Sequence, residues 1–354
     1  MLNIEKLMRL LPEGYEKACY ETKAIERARE IKNAKDLMQL SLSYVAHGFS
    51  LVEMSEIARL KGLGNISDVA FMKKFSKCND WFIDILKNLE TGEVANYKKP
   101  KKLQNYTFKA LDASDVTEKG ALKRRYKLHY AINIFTMSSE AYKITPPGTG
   151  ESLTNFTISP KDLVIGDRAY GTKTGIEYCL ENGGDFIFRV RNNPFKLYDE
   201  NQEEIKISNF LENATEDSAI DVTVYMESSK KQMIPLRLCA TKKPLEAMEK
   251  SNKRIKRFES THQRKLSAET KKSHEYFFVL TSLPSDIATA QEVLDIYRLR
   301  WQVELYFKRL KSIMDFGDLP KRNEQSVMAW LNGKLIVALL IEKLIASVDF
   351  PPFE

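Results

Sequence analysis

The sequence predicts an α/β fold that begins with an all-α region and contains an all-β insertion. Helix caps and glycine turns recur through residues 1–90, and strand-length apolar runs follow from residue 106. Between residues 195 and 285 the pattern changes to short β runs around a basic segment. Strands followed by strand, helix and strand indicate an α/β layer. The expected divisions are a helical region at 1–100, the first part of a core at 101–194, a β insertion at 195–285, the last helix of the core at 286–320 and a C-terminal helix at 321–354.

The composition is that of a folded protein. Of 354 residues, 43% are hydrophobic, and 18 Phe and 15 Tyr supply ample buriable surface. The net charge of +7 suits nucleic acid but also suits many ordinary enzymes. Four scattered cysteines match neither a zinc cluster nor a disulfide framework, so a reducing cytoplasm fits best. The most apolar stretch, 335–346, is too short to span a membrane, and we expect no membrane association.

The N-terminal region offers a candidate DNA-reading helix. Ser50 with Glu53 forms a capping-box pair that begins one helix, and Ser67 caps the next. The second helix follows a Gly-Asn turn, so the pair is compatible with a helix-turn-helix that presents Lys73 and Lys74 to DNA. A plain helical bundle is an equally good interpretation.

Two aspartates follow predicted strands of the core. The expected strands are 107–112, 127–136, 141–145, 162–167 and 185–190, with a helix at 172–184. Asp112 closes the first strand and Asp167 closes the fourth. A carboxylate at the carboxyl end of a strand projects into the crevice where α/β sheets bind ligands. Taken singly, each aspartate is more often a turn or cap residue.

The insertion is expected to consist of strands at 219–226, 232–240 and 275–283. The intervening segment, 241–274, contains eleven Lys or Arg residues and four Glu residues. Because these cations repel one another, we expect the segment to be mobile until phosphates are present.

The longest helical pattern of the chain is predicted to run from residue 289 to about residue 315. On a helical wheel one stripe about 60° wide, beside the apolar core face, holds four polar residues. These are Tyr297, Arg300, Glu304 and Lys311. The alternative is structural, because Arg300 and Glu304 could simply form an i,i+4 pair.

Asp112, Asp167 and Glu304 together would form an oxygen-rich cluster that selects Mg²⁺ or Mn²⁺ over softer metals. Two such ions about 4 Å apart can activate a water or a 3′-hydroxyl and stabilise the leaving oxygen of a phosphodiester. Arg300 and Lys311 would then hold backbone phosphates beside the metal ions. The chemistry indicated is phosphoryl transfer on nucleic acid.

The same residues resemble a known family. The spacing Tyr297-x2-Arg300-x3-Glu304-x6-Lys311 is similar to the Tyr-Arg-Glu-Lys signature of the bacterial insertion-sequence-four transposases. The segments 163–171 and 111–134 resemble the blocks around the two catalytic aspartates of that family. The resemblance covers about residues 105–320.

The resemblance implies an RNase H-like catalytic core interrupted by the β insertion, and cut-and-paste DNA transposition with two metal ions. Asp112, Asp167 and Glu304 carry over as catalytic metal ligands for Mg²⁺ or Mn²⁺. The implied DNA contacts are Tyr297, Arg300, Lys311 and, beside a flipped base, Trp301. The implied partners are the terminal inverted repeats, target DNA and a second copy of the chain in a synaptic complex, and the location is the cytoplasm, at the nucleoid. Two rivals stay open: a metal-dependent nuclease without strand transfer, and a domesticated or truncated DNA-binding protein.

Overall fold

A computed structural model describes residues 2–89, 98–117, 125–216, 218–305, 308, 319 and 323–347. Among them, no helix has both the length and the apolar character needed to cross a bilayer. The four cysteines are buried thiols.

The N-terminal region is helical, as predicted. Its helices are α1 (Ile4–Met8), α2 (Tyr15–Glu21), α3 (Ala34–His47), α4 (Leu51–Leu60), α5 (Asp68–Ser76) and α6 (Asn79–Asn88). The capping box of Ser50 and Glu53 begins α4, and the Ser67 hydroxyl caps α5 by accepting a hydrogen bond from the backbone N–H of Ala70. Both predicted helix starts are therefore confirmed.

The C-terminal helix, α12 (Glu324–Ala346), completes this helical region. It packs against α1, α3, α5 and α6, and also touches one edge of the central sheet. Residues far apart in sequence therefore share one apolar core, in which Leu331 and Leu335 of α12 are buried with Val45 and Phe82. The prediction of a C-terminal helix is confirmed for 324–346.

In the described part of the chain, ten strands form one sheet in the order β3-β2-β1-β4-β5-β10-β9-β8-β6-β7. The first five are β1 (Thr107–Thr117), β2 (Arg125–Ile132), β3 (Ser139–Thr145), β4 (Asp162–Gly166) and β5 (Asp185–Arg189). The others are β6 (Leu197–Tyr198), β7 (Glu204–Ile205), β8 (Ile220–Glu227), β9 (Met233–Lys242) and β10 (Tyr276–Thr281). β4 lies parallel to both β1 and β5, whereas β2 is antiparallel to β1 and β10 is antiparallel to β5.

The sheet separates two apolar cores. The α11-side core contains Phe108, Ile165 and Ile187 of the sheet together with helix α11 (Ala290–Arg298) and the N-terminal helices. The opposite core contains alternate strand residues and helix α7 (Lys173–Glu181), which connects β4 to β5. Side chains of a strand alternate between its two faces, so a residue's position in the strand decides which core it enters.

The prediction of an all-β insertion is wrong. Residues 195–285 include helices α8 (Ser208–Leu211), α9 (Leu245–His262) and α10 (Ala268–Ser273), and strands β8, β9 and β10 extend the central sheet. The segment that we expected to be mobile is mostly α9 and α10. Most α9 side chains are exposed, which explains why its charges do not prevent helix formation: solvent surrounds them.

Candidate active site

Asp112 and Asp167 lie side by side on the sheet. The parallel register of β1 and β4 pairs Ala110 with Ile165, and two further residues along each chain bring Asp112 beside Asp167. Neighbouring strands lie about 4.8 Å apart. Because side chains alternate between the two faces of a strand, both carboxylates lie on the same face of the sheet as Ala110 and Ile165, which belong to the α11-side core. Strand pairing thus brings together two aspartates that are 55 positions apart in sequence.

Asp112 does not close its strand, contrary to the prediction. β1 continues to Thr117, paired with β2, and Asp112 lies opposite Tyr130 in that ladder. The strand on the other side of β1 is β4, and this strand stops at Gly166, close to Asp112. Asp112 therefore lies where a gap opens beside β1, and the chain after β4 turns away at Asp167.

Each aspartate is fixed by its own backbone. Asp112 Oδ1 accepts a hydrogen bond from the N–H of Ala113 at 2.9 Å, and Asp167 Oδ1 accepts one from Ala169 at 2.8 Å. The turn after Asp167 is closed by the N–H of Gly171, which donates to the Asp167 carbonyl oxygen at 3.1 Å. A Cβ at Gly171 would collide with the carbonyl oxygen of Arg189, so only glycine fits here.

Glu304 approaches from a helix that is broken where continuity was expected. α11 ends at Arg298, residues 299–300 form a turn, and a second helical stretch covers 301–305. Backbone bonds in this turn span three residues, as in Arg300 N–H to Tyr297 carbonyl oxygen at 3.0 Å and Val303 to Arg300 at 3.0 Å. The prediction of a single helix from residue 289 to about residue 315 is therefore wrong at 299–300. The helical wheel describes the relative positions of side chains only within each helical stretch.

The tightened turn nevertheless keeps Arg300 and Glu304 together. Their side chains form an ion pair, and the Arg300 guanidinium lies 5.8 Å from the centre of the Tyr297 ring. Tyr297 is buried against Phe277 of β10, with ring centres 5.3 Å apart. Arg300 is largely buried while Glu304 is half exposed. Arg300 thus links the glutamate to a ring that is anchored in the core.

The carboxylates influence one another electrostatically. Burial raises the pKa of Asp112 to about 6; the Ala113 N–H and the charge of Arg300 oppose this, and the charges of Asp167 and Glu304 add to it. These couplings place Asp112, Asp167, Glu304 and Arg300 at one locality. A buried carboxyl facing two like charges is a site that a cation would stabilise.

Among the described residues, no three His, Cys, Asp or Glu side chains are close enough to hold a metal ion. Asp112 and Asp167 are adjacent, but the Glu304 carboxylate points to Arg300. The donor set is nonetheless all oxygen, which is the set that Mg²⁺ and Mn²⁺ prefer.

The other predicted DNA contacts are distributed unevenly. Trp301 is 51% exposed, and Lys311 lies outside the described residues. Lys73 and Lys74 lie on α5, where Lys73 is exposed and Lys74 Nζ donates to the carbonyl oxygen of Arg27 at 3.5 Å. Neither lysine belongs to the carboxylate site.

Sequence reasoning missed two arginines next to the site. Arg168 follows Asp167 directly, and Arg189 ends β5 on the same face as Tyr297, with its guanidinium 5.7 Å from the centre of the Phe277 ring. The available signal was position: each arginine comes at or just after the carboxyl end of a parallel strand, as Asp167 does.

Two aspartates at adjacent parallel strands, with a glutamate, arginines and other basic residues close by, are the arrangement expected of an enzyme that transfers phosphoryl groups on nucleic acids. Residues 103–340 match the family model of the transposase DDE domain, so the chain belongs to that family. It is a transposase of insertion sequences, an enzyme that cleaves DNA and transfers strands, and its family requires divalent metal ions.

Two of the relatives match nearly the whole chain, and a third matches about half of it. The putative transposase InsL for insertion sequence element IS186A of Escherichia coli (strain K12) is 30% identical over 349 residues, which are 96% of this chain and 93% of the relative. The transposase for insertion sequence element IS421 of Escherichia coli is 29% identical, with the same two coverages. The transposase for IS1151 of Clostridium perfringens is 28% identical over 52% of this chain and 42% of its own length.

Proposed function

We propose that this transposase moves its insertion sequence by cut-and-paste transposition, through two-metal-ion hydrolysis of phosphodiesters followed by strand transfer. Asp112, Asp167 and Glu304 are the proposed catalytic residues and metal ligands. The observation that supports this best is the β1–β4 register, which sets Asp112 beside Asp167 on the face that Glu304 approaches. The bound ions, Mg²⁺ in the cell or Mn²⁺, would activate the nucleophile and stabilise the leaving oxygen.

The proposal includes a finer place in the family. The strand order β3-β2-β1-β4-β5 with its antiparallel first three strands supports an RNase H-like core, into which 195–285 is inserted. The spacing of Tyr297, Arg300, Glu304 and Lys311 supports membership of the insertion-sequence-four group.

The protein's own residues hold the DNA. In the proposal Arg300, supported by the Tyr297 ring, binds the phosphate beside the scissile bond and releases Glu304 to the metal ions. Trp301 and Lys311 contact the same strand further along, and Lys73 and Lys74 of the N-terminal helices contact the terminal inverted repeat. Two copies of the chain would pair two repeat ends, at the nucleoid of the bacterial cytoplasm where the substrate lies.

Cleavage and strand transfer each form one P–O bond and break another. In cleavage a water oxygen attacks phosphorus, the P–O3′ bond breaks, the 3′-oxygen takes a proton, and the phosphate remains on the 5′ side as a monoester. In strand transfer the freed 3′-hydroxyl loses its proton and attacks a target phosphodiester, whose own 3′-oxygen leaves with a proton.

The test is incubation of the full chain with a duplex that carries the flanking genomic terminal repeats, a supercoiled target, and Mg²⁺ or Mn²⁺. We expect cleavage at the repeat boundary and covalent joining of the freed 3′-hydroxyl end to the target. Cleavage without any joined product would replace the proposal with a nuclease, and absence of both would reject it.

A further inference from the structure

A basic cavity of about 720 Å³ lies next to the carboxylate site. It is lined by residues of the turn after β4, the end of β5, the start of β10 and the helices α9 and α10. Arg168 joins the two sites, because it lines the cavity and follows Asp167 directly in the chain. Tyr297 contacts residues of both sites, because its ring centre lies 5.8 Å from the Arg300 guanidinium and 5.3 Å from the ring centre of Phe277, a cavity residue.

The cavity has an excess of positive charge. Arg168, Arg189, Lys243, Lys250 and Arg254 line it, and no aspartate or glutamate of the described residues does. Lys250 pairs with Glu246 on the exposed side of α9. Within the described part of the chain, the other four cations form no ion pair with a carboxylate.

Two cavity groups are placed as though for an anion. The Nε atom of Arg168 is buried, and no hydrogen-bond acceptor among the described residues reaches it. Lys243 Nζ donates to the carbonyl oxygen of His274 at 2.5 Å and to Ser251 Oγ at 3.1 Å, both neutral acceptors. Burial, together with the charges of Arg189, Arg168 and Arg254, lowers the pKa of Lys243 to about 8. These groups repel one another until an anion enters.

The charge count favours a terminal phosphate over an internal one. An internal phosphodiester has one negative charge, whereas a phosphate monoester has about −1.5 to −2 at pH 7 and three strong acceptor oxygens. Four cations without carboxylate partners match the monoester better. DNA hydrolysis at the neighbouring carboxylates creates such a group, since the P–O3′ bond breaks and the 5′ side keeps the phosphate.

We propose that this cavity is a second anion site, distinct from the carboxylates, that binds the 5′-terminal phosphate of a DNA strand end. The proposal rests on the proposed function for the source of the strand end. In this proposal Arg168, Arg189, Lys243 and Arg254 bind the terminal phosphate of the product. Arg300 binds the internal phosphate beside the scissile bond.

The test compares the affinity of the full chain for two repeat-end duplexes that differ only in a 5′-phosphate or a 5′-hydroxyl, measured by fluorescence anisotropy. Variants are Arg254→Ala, an exposed residue of α9 that lines the cavity, and Lys243→Met, directly after β9. The matched control is Lys253→Ala, which removes a neighbouring exposed charge of α9 that does not line the cavity. We expect wild type and Lys253→Ala to prefer the 5′-phosphate by about tenfold, and both cavity variants to lose that preference.

Equal affinity of the wild type for the two duplexes would overturn the inference, as would an equal loss of preference in Lys253→Ala. Inorganic phosphate at constant ionic strength forms a second arm. If it protects wild type against thermal unfolding while the two duplexes bind equally, the site takes free phosphate and the strand-end assignment is wrong. Failure of the proposed function is seen separately, as absence of cleavage of intact repeats by the wild type.

Discussion

Replacement of Arg237 by methionine should both destabilise the protein and misplace helix α11, which precedes the proposed catalytic residue Glu304. Arg237, in β9, is almost fully buried and forms a two-point ion pair with Asp221 of β8. Its Nη1 also donates to the carbonyl oxygens of Leu283 at 2.7 Å and Ala288 at 2.9 Å, which flank the segment leading into α11. One side chain thus fixes two strands to the start of the helix that precedes Glu304.

The loss can be estimated from these contacts. Methionine keeps most of the apolar stem but leaves two carbonyl oxygens without their donor, at about 1–3 kcal/mol each. Asp221 is about one-third exposed and can be rehydrated, so its loss adds little. We expect a decrease of about 3–5 kcal/mol in the free energy of unfolding, measured by urea titration. Cleavage should also fall at temperatures where the variant stays folded.

The control is Lys231→Met, which removes an exposed i,i+4 pair with Glu227 and should cost less than about 1 kcal/mol. If Arg237→Met and Lys231→Met lose equal stability, or if folded Arg237→Met cleaves DNA at the wild-type rate, this role of Arg237 is wrong.

Three further predictions concern charge and backbone. Burial raises the pKa of Glu342 from 4.5 to about 8, so folding favours its protonated form. Between pH 5 and pH 7 the free energy of unfolding should therefore fall by about 2.5 kcal/mol more in wild type than in Glu342→Gln. Thermal or urea unfolding at both pH values measures this, and equal pH dependence would contradict it. Arg300→Ala should weaken binding to repeat ends and reduce the salt dependence of binding by about one unit of slope. Arg298→Ala, an exposed change at the end of α11, should do neither, and equal slopes for the two variants would argue for a purely structural Arg300. Gly171→Ala should shift the turn that fixes Asp167 and reduce cleavage with DNA affinity retained, and unchanged cleavage would show that the turn tolerates a side chain.

The local pattern predicted most elements of the fold. Strand-length apolar runs located β1 to β5 and β8 to β10, and the capping residues located the starts of α4 and α5. These features depend on neighbours within a few positions, which a sequence displays directly. The sequence indicated only that Asp112 and Asp167 follow predicted strands whose ends could lie close together. It could not show that they lie side by side, because the pairing register of β1 and β4 joins residues far apart in sequence.

Helix α9 was missed because its charges hid its periodicity. Ala247, Ser251, Ile255 and Phe258 recur at spacings of three and four and line the basic cavity. This stripe is narrow, and Ile255 is its one buried member, so the five Lys and Arg residues of α9 dominated the pattern. A wheel drawn for 245–262 would have found it.

The break at residues 299–300 could not be predicted. Neither Leu299 nor Arg300 disrupts a helix by itself, and no glycine or proline marks the turn. The backbone hydrogen bonds that join residues three apart coincide with the contacts of Tyr297 to Phe277 and of Arg300 to Glu304. Tertiary packing thus decides the local geometry, as propensity alone does not.

The most direct test of the carboxylate site is the comparison of cleavage and binding for Glu304→Gln. The substitution keeps size and helix propensity but removes the anionic ligand, so with Mg²⁺ or Mn²⁺ we expect cleavage of repeat ends to fall by more than about a hundredfold. Affinity for the same DNA should stay near wild type. Asp295→Asn, an exposed change on α11, should preserve both activities. Full cleavage by Glu304→Gln would contradict the assignment of this glutamate and, with it, the proposed catalytic site.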